Sequence, residues 1–249
     1  GHMYDVHNYP VSSMILPEYN GNRISVLGEF GGYGWAIKEH LWNPEMRNWG
    51  YKNIDGAVAL MDNYGRVIHD LKTLIAQGLS AAIYTQTTDV EGEVNGLLTY
   101  DRKITKMPTS LLHILHNDLY NVAPAKAITL VPDGQGGAKN QRKVSVNGSE
   151  MKQVMLPYSV QPKATVVSET EFVLNQPLKN LSLWLRAAGT GKVWLNGVEV
   201  FLQDIRMTKQ YNQYNLSDYS SLLKKGKNTI KIEVQGTNKM DFDYGLRAF

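Results

Sequence analysis

Arg23-Ile24-Ser25-Val26-Leu27-Gly28-Glu29-Phe30, closed by Gly31-Gly32, decides the fold of the first half of this 249-residue chain. The run is short, largely apolar and ended by a glycine pair, which is the pattern of a buried strand. Its odd member is Glu29. A carboxylate at the end of an apolar strand is costly to bury unless it is paired or used. In barrels of alternating strands and helices, catalytic groups sit at that end of the strands.

Upstream, Asp5-Val6-His7-Asn8-Tyr9-Pro10 reads as a strand end running into a polar loop that lasts to Asn22. Downstream, residues 33–54 form a long loop rich in aromatics: Tyr33, Trp35, Trp42, Trp49 and Tyr51. Ala57, Leu60, Met61, Tyr64, Val67, Ile68, Leu71, Leu74 and Ile75 then recur at helical spacing and predict one buried helix face, with Asp55 as N-cap and Gly78 just past the end. Ser80-Ala81-Ala82-Ile83-Tyr84-Thr85 predicts a second buried strand, and residues 109–119 a second amphipathic helix. Strands alternating with helices argue for parallel βα units.

The pattern changes near Asn121-Val122-Ala123-Pro124. Short β-rich runs follow at 127–131, 144–146, 165–167, 172–174, 181–185, 193–195 and 229–234, separated by turn signals. Asn147-Gly148 and Asn196-Gly197 predict hairpins. The fold class expected is therefore α/β plus all-β, with a partial barrel over 4–120 and a β-sandwich over 121–249.

Hydrophobic content of 43% and charged content of 20% are those of a globular chain. Residues 1–120 hold 9 Lys/Arg against 13 Asp/Glu, and residues 121–249 hold 17 against 10, so the two halves present different surfaces. A net charge of +3 is too small to argue for a nucleic-acid partner. No apolar run approaches the roughly 20 residues of a membrane span. The absence of cysteine excludes disulfides and thiolate metal sites and leaves the compartment open. Gly1-His2-Met3 reads as an expression scar, so a native leader is expected to have been lost with a missing part, and a periplasmic or extracellular parent fits.

Val26-Leu27-Gly28-Glu29-Phe30-Gly31-Gly32 resembles the strand-seven nucleophile motif of glycoside hydrolase family 2, the β-galactosidase and β-glucuronidase group. Residues 5–10 resemble the end of barrel strand six. Ala81-Ala82-Ile83-Tyr84-Thr85-Gln86-Thr87-Thr88-Asp89 resembles strand eight, and Asn95-Gly96-Leu97-Leu98-Thr99-Tyr100-Asp101-Arg102-Lys103 the segment leading to the last barrel helix. The four matches are collinear over residues 4–119. The resemblance implies the C-terminal portion of a (β/α)8 TIM barrel, with Glu29 as the nucleophile of a retaining β-glycosidase. It implies that His7 and Tyr9 contact substrate or orient the nucleophile. It also implies that Tyr84 and Gln86 floor the sugar subsite, and that His40 and Trp42 line the pocket. Residues 180–246 resemble a galactose-binding-like jelly roll, expected to brace the barrel.

Two departures shape the functional expectation. Retaining hydrolysis needs a second carboxyl group as proton donor, which in this family follows an asparagine, and no Asn-Glu pair occurs in the sequence. The chain is therefore expected to be an inactive C-terminal fragment of a glycosidase. The Asn-x-Lys pair with which glucuronidase-like members read a sugar carboxylate is also missing, since Glu91-Gly92-Glu93-Val94-Asn95 stands there. A neutral sugar, β-galactoside-like, is the expected substrate, with no cofactor and no metal. Asp89, Glu91 and Glu93 read as a solvated acidic loop. Two or three βα units leave open sheet edges, through which self-association is expected. The rival reading is a carbohydrate-binding or structural accessory module without catalysis.

Overall fold

A computed structural model describes residues 1–200 and 210–249. The chain divides into two compact units, Gly1–Pro124 and Ala125–Phe249.

The first unit is built on β1 (Met3–Asn8) and β2 (Ile24–Gly31). Two short strands follow, β3 (Tyr33–Gly34) and β4 (Lys52–Asn53), then α1 (Gly56–Ala76), β5 (Leu79–Thr85) and α2 (Thr109–Leu119). β1, β2 and β5 form a three-stranded parallel sheet in that order, and β3 pairs with β4 in a separate two-stranded piece. This sheet is open: among the described residues no closed barrel is formed. Val6, Leu27 and Phe30 point to the side that α1 covers with Leu60, Tyr64, Val67, Ile68, Leu71 and Leu74, all nearly inaccessible. Each such side chain contributes about 1.5–3 kcal/mol by leaving water. Asp55 precedes α1 without a side-chain cap bond, and Gly78, at φ 108°, follows its last turn. By contrast, α2 buries none of its residues. No helix among the described residues is long and apolar enough to cross a membrane.

One irregularity fixes which face Glu29 occupies. Val6 pairs with Leu27, but the next residue, His7, pairs with Glu29, so Gly28 is an extra residue in β2. Side chains alternate along a strand, and one inserted residue reverses the alternation beyond it. Without the bulge Glu29 would face α1 and Phe30 the open side. With it, Phe30 joins the core and Glu29 stands beside His7. Glycine is required at this bulge, because a Cβ at position 28 would lie 2.3 Å from Asp5 Oδ1.

The second unit is a β-sandwich. Its strands are β6 (Ile128–Val131), β7 (Asn140–Val146), β8 (Lys152–Leu156), β9 (Tyr158–Val160), β10 (Thr165–Leu174), β11 (Leu181–Arg186), β12 (Gly189–Leu195), β13 (Val198–Val200), β14 (Asn212–Asn215), β15 (Gly226–Gly236) and β16 (Met240–Ala248). One sheet runs β13-β12-β15-β10-β7-β8; the other runs β14-β11-β16-β6, with β9 on the far part of β16. On β15, Ile230, Ile232 and Val234 are inaccessible while Lys231 and Glu233 face outward. This is the alternation of a sheet with one wet face. The second sheet is buried on both faces, as consecutive residues 181–185 of β11 show. Tyr244 of β16 joins the sheets through hydroxyl contacts with Ser168 (3.0 Å) and Thr170 (2.6 Å) of β10. Asn147-Gly148 and Asn196-Gly197 take the left-handed conformation at both residues, as tight hairpin turns require.

Candidate active site

Glu29 lies at the carboxyl end of β2, half-exposed on the open face of the three-stranded sheet. Its Oε2 is held from two sides. The Tyr9 hydroxyl donates a short hydrogen bond to it, and His7 Nδ1 lies 3.3 Å away. Its Oε1 has no partner among the described residues. Each holder is fixed in turn. The Tyr9 hydroxyl is 3.0 Å from Thr85 Oγ1 at the end of β5, and His7 Nε2 is 3.1 Å from Asp5 Oδ2. Asp5, His7, Glu29 and Thr85 thus come from three adjacent parallel strands and share one face.

Burial pushes the Tyr9 phenol well above its ordinary value, and its donation to Glu29 adds to the rise. A proton given up there would leave two anions in contact. Tyr9 therefore stays a donor across the physiological range. The Tyr9 ring lies flat on Tyr51, with centroids 3.5 Å apart and planes 1° apart, and Trp49 meets Tyr51 edge-on at 5.6 Å. Tyr51 reaches this position because Gly32, at φ 70°, has no side chain; a Cβ there would stand 2.6 Å from the Tyr51 ring. Glu29, Tyr9, Tyr51 and Trp49 make one continuous polar-to-aromatic wall.

The other residues singled out in the sequence are placed as follows. Gln86 follows Thr85 and donates through Nε2 to Asn95 Oδ1 at 2.9 Å. Asn95, itself fully buried, donates through Nδ2 to Glu93 Oε1 at 2.9 Å. Tyr84 pairs in register with Phe30 and packs edge-on against it and against Tyr64 of α1, at 5.6 and 4.8 Å. The structure does not bring Tyr84 together with Glu29: its ring is on the helix-covered side, the alternation that sends Thr85 toward Tyr9 sending Tyr84 the other way. Burial raises its phenol pKa, as it does that of Tyr64. His40 Nδ1 is 2.8 Å from Asp101 Oδ2, and Trp42, 57% exposed, meets Tyr100 edge-on at 5.5 Å. These two residues tie the loop after β2 to the loop before α2, and neither contacts Glu29. Hydrogen bonds from Thr99 and the contact with His40 hold the Asp101 carboxyl below the usual carboxylate range.

Asp89 departs from the sequence expectation. It is not solvated but 5% exposed, with Lys106 Nζ 2.7 Å from its Oδ1. Lys106 also donates to the carbonyls of Trp35 and Val94, both at 2.9 Å. Burial lowers the Lys106 pKa and raises that of Asp89, against their mutual attraction. This pair holds the long loop between β5 and α2 together and ties it to Trp35 of the loop after β3. The rings that lead away from Glu29 are those of Tyr9, Tyr51 and Trp49, whereas Phe30 packs against Tyr84 on the side that α1 covers. Among the described residues no group of three or more His, Asp or Glu side chains gathers in metal-holding geometry.

No family model matches the sequence, and no curated protein matches it. Several solved structures show partial likeness. A β-D-mannosidase from Dictyoglomus thermophilum is 12% identical, over 44% of this chain and 16% of its own, with a TM-score of 0.32. A β-glucuronidase from Ruminococcus gnavus is 13% identical, over 50% of this chain and 29% of its own, with a TM-score of 0.36. An α-L-rhamnosidase from Streptomyces avermitilis is 16% identical, over 47% and 11%, with a TM-score of 0.31. The chain spans less than a third of the length of each of these glycoside hydrolases.

Proposed function

We propose that this chain carries the nucleophile side of a retaining β-glycosidase site, with Glu29 as nucleophile and Tyr9 and His7 as the groups that orient it. The observation that carries the reading is the division of labour between the two Glu29 oxygens: Oε2 is bound by Tyr9 and His7, and Oε1 is left open toward the unobstructed face. A carboxylate held in this way is oriented and retains one lone-pair-rich oxygen for attack. Oε1 would bond to the anomeric carbon as the bond from that carbon to the leaving oxygen breaks, giving a glycosyl ester that water later cleaves. The stacked Tyr9–Tyr51 pair and Trp49 supply apolar ring surface beside the reacting centre.

The proton needed by the leaving oxygen has no source in this wall. Tyr9 is committed to Glu29, and the Asp5 carboxylate to His7. General-acid assistance is worth about 10²–10⁴-fold, so ordinary glycosides should turn over no faster than with Glu29→Gln. We infer that the acid/base belongs to polypeptide outside this sequence. The test is a 2-deoxy-2-fluoro glycoside with a dinitrophenolate leaving group, which departs without a proton. Intact-mass analysis should show slow addition of one fluoroglycosyl group, peptide mapping should place it on Glu29, and Glu29→Gln should take up none. Label on any other residue sinks the assignment. Turnover of an ordinary aryl glycoside above the Glu29→Gln control contradicts the incomplete-site reading.

A further inference from the structure

We propose that Asp5 is a positioning residue for the Glu29 carboxylate, acting only through His7, and that Gly28 is the residue that gives Asp5 its room. The proposal rests on the reading of Glu29 as a glycosidase nucleophile.

Asp5 and His7 stand two apart on β1, so their side chains leave the same face of the strand. The register sets them against β2: Asp5 pairs with Val26, Val6 with Leu27 and His7 with Glu29, and Gly28 is left over. Each nitrogen of the His7 ring is matched to one carboxylate. Nδ1 lies 3.3 Å from Glu29 Oε2, and Nε2 lies 3.1 Å from Asp5 Oδ2. A carboxylate only accepts, so a hydrogen bond at either nitrogen is a donation from the ring. A ring turned over about its Cβ–Cγ bond would put carbon where each nitrogen now stands and lose both contacts. Asp5 therefore selects the ring orientation in which Nδ1 faces Glu29. The selection matters because the His7 side chain is 52% exposed, and packing alone does not hold it.

Asp5 serves no other group. Among the described residues its carboxylate meets no lysine or arginine, and its one polar contact is His7. The space it fills is provided by β2. A Cβ on Gly28 would have the Asp5 carboxyl as its three nearest atoms, Oδ1 at 2.3 Å, Oδ2 at 2.8 Å and Cγ at 2.9 Å. All three belong to the far end of one half-exposed side chain, which can swing into solvent. The φ of Gly28 lies outside the left-handed region, so the glycine is needed for Asp5 and not for the backbone. A methyl group at position 28 would displace Asp5 from His7 and leave the strand in place. The extra residue that turns Glu29 to the open face is thus also the one that lets Asp5 lie over β2.

The test is the rate at which the 2-deoxy-2-fluoro glycoside with a dinitrophenolate leaving group labels the whole chain. Intact mass is followed over a range of reagent concentrations, so that the maximal rate and the half-saturating concentration separate. Asp5→Ala should lower the maximal rate about tenfold and move half-saturation by less than about twofold, because the lost contact orients Glu29 and does not touch the sugar. Gly28→Ala should give the same defect without altering residue 5. Asp5→Asn, whose Oδ1 still accepts from Nε2, should stay within about threefold of wild type. In a His7→Gln background neither Asp5→Ala nor Gly28→Ala should slow labelling further, since the pair then has no contact left to lose. Asp5→Ala that labels like wild type, that moves half-saturation and not the maximal rate, or that slows labelling equally with and without His7 overturns the role of Asp5 alone. Wild type that takes up no label, or takes it up on a residue other than Glu29, overturns the glycosidase reading and this proposal with it.

Discussion

Lys106 places an ammonium where only 1% of its side chain is accessible, and three acceptors surround it: Asp89 and the carbonyls of Trp35 and Val94. Desolvation penalises both charges of such a pair. The consequence is an asymmetry, in which the pair as a whole adds little but the loss of one member is severe. Lys106→Ala should cost about 3–5 kcal/mol by leaving Asp89 buried and unpaired. Adding Asp89→Asn to it should recover part of the loss, because an amide oxygen still accepts from Gly96 N–H, now 2.8 Å from Asp89 Oδ1. Urea unfolding midpoints of the two variants decide this, and equal midpoints would refute the asymmetry. The sequence could not announce the pair. Asp89 stands among Glu91 and Glu93, which reads as a solvated loop, and its cation lies 17 residues away across the fold. Glu29 was legible for the opposite reason: a charged residue ending an apolar strand is anomalous without any knowledge of its neighbours.

At the scale of elements, α1 and α2 meet through Tyr64 and His116, whose Oη and Nε2 are 2.6 Å apart. Nε2 accepts from the phenol only while the ring is neutral. Burial lowers the His116 pKa, and the neighbouring His113 adds to the effect. The sign follows from which state takes the proton first. As pH falls through about 6.5, the ordinary histidine value, the unfolded chain or undocked helix binds a proton that docked His116 resists. The contribution is therefore whole above that pH, and it declines below it until the folded pKa is reached. Hydrogen exchange of α2 amides should quicken between pH 8 and pH 5 beyond the intrinsic chemical rate, and His116→Gln should remove that excess. An excess of the same size in His116→Gln would exclude the mechanism. The helices were readable from their 3.6-residue period: Leu60, Tyr64, Val67, Ile68, Leu71 and Leu74 of the expected α1 row are buried, whereas Ala57, Met61 and Ile75 are only half-buried and Asp70, Thr73 and Ala76 are buried beside them. The Gly28 bulge was not. Gly28 looks like one more glycine in a glycine-rich strand, yet it sets the parity of all that follows. It puts Phe30 on the helix side, beside Tyr84 of β5, leaving the wall to Tyr51 of a loop with no periodicity. In the second unit β15 was visible from clean alternation, whereas β16 was hidden because Asp241, Asp243 and Arg247 interrupt its apolar run. Their partners are distant: Arg186 for Asp241, Tyr211 for Asp243 and Asp133 for Arg247.

For the whole molecule, the open sheet of the first unit poses the main physical problem. β1 and β5 each have one edge without a strand partner among the described residues. Beside β5 a groove of about 660 Å³ runs between α1 and α2, lined by Ile68, Leu71, Ile75, Ile83 and Leu119 among others. Ile83 is 59% exposed, Ile114 66% and Tyr120 88%, and α2, with Leu111, Leu112, Ile114, Leu115 and Leu119, has no buried residue. Unpaired edges next to apolar surface are templates for another chain. We propose that, in the absence of other polypeptide to cover them, these edges drive self-association. The two edges differ, being opposite sides of one parallel sheet, so the contact that satisfies both joins β5 of one copy to β1 of the next. Such a heterologous contact does not close on a two-fold axis and extends with concentration. Sedimentation or light scattering across a hundredfold concentration range should show mass rising steadily rather than halting at a dimer. Ile83→Lys, on the exposed face of the edge strand, should return the chain toward monomer without lowering its unfolding midpoint by more than about 0.5 kcal/mol-equivalent, as expected of a surface position. A wild-type mass that stays monomeric throughout would show that α2 and the edges are satisfied within one chain.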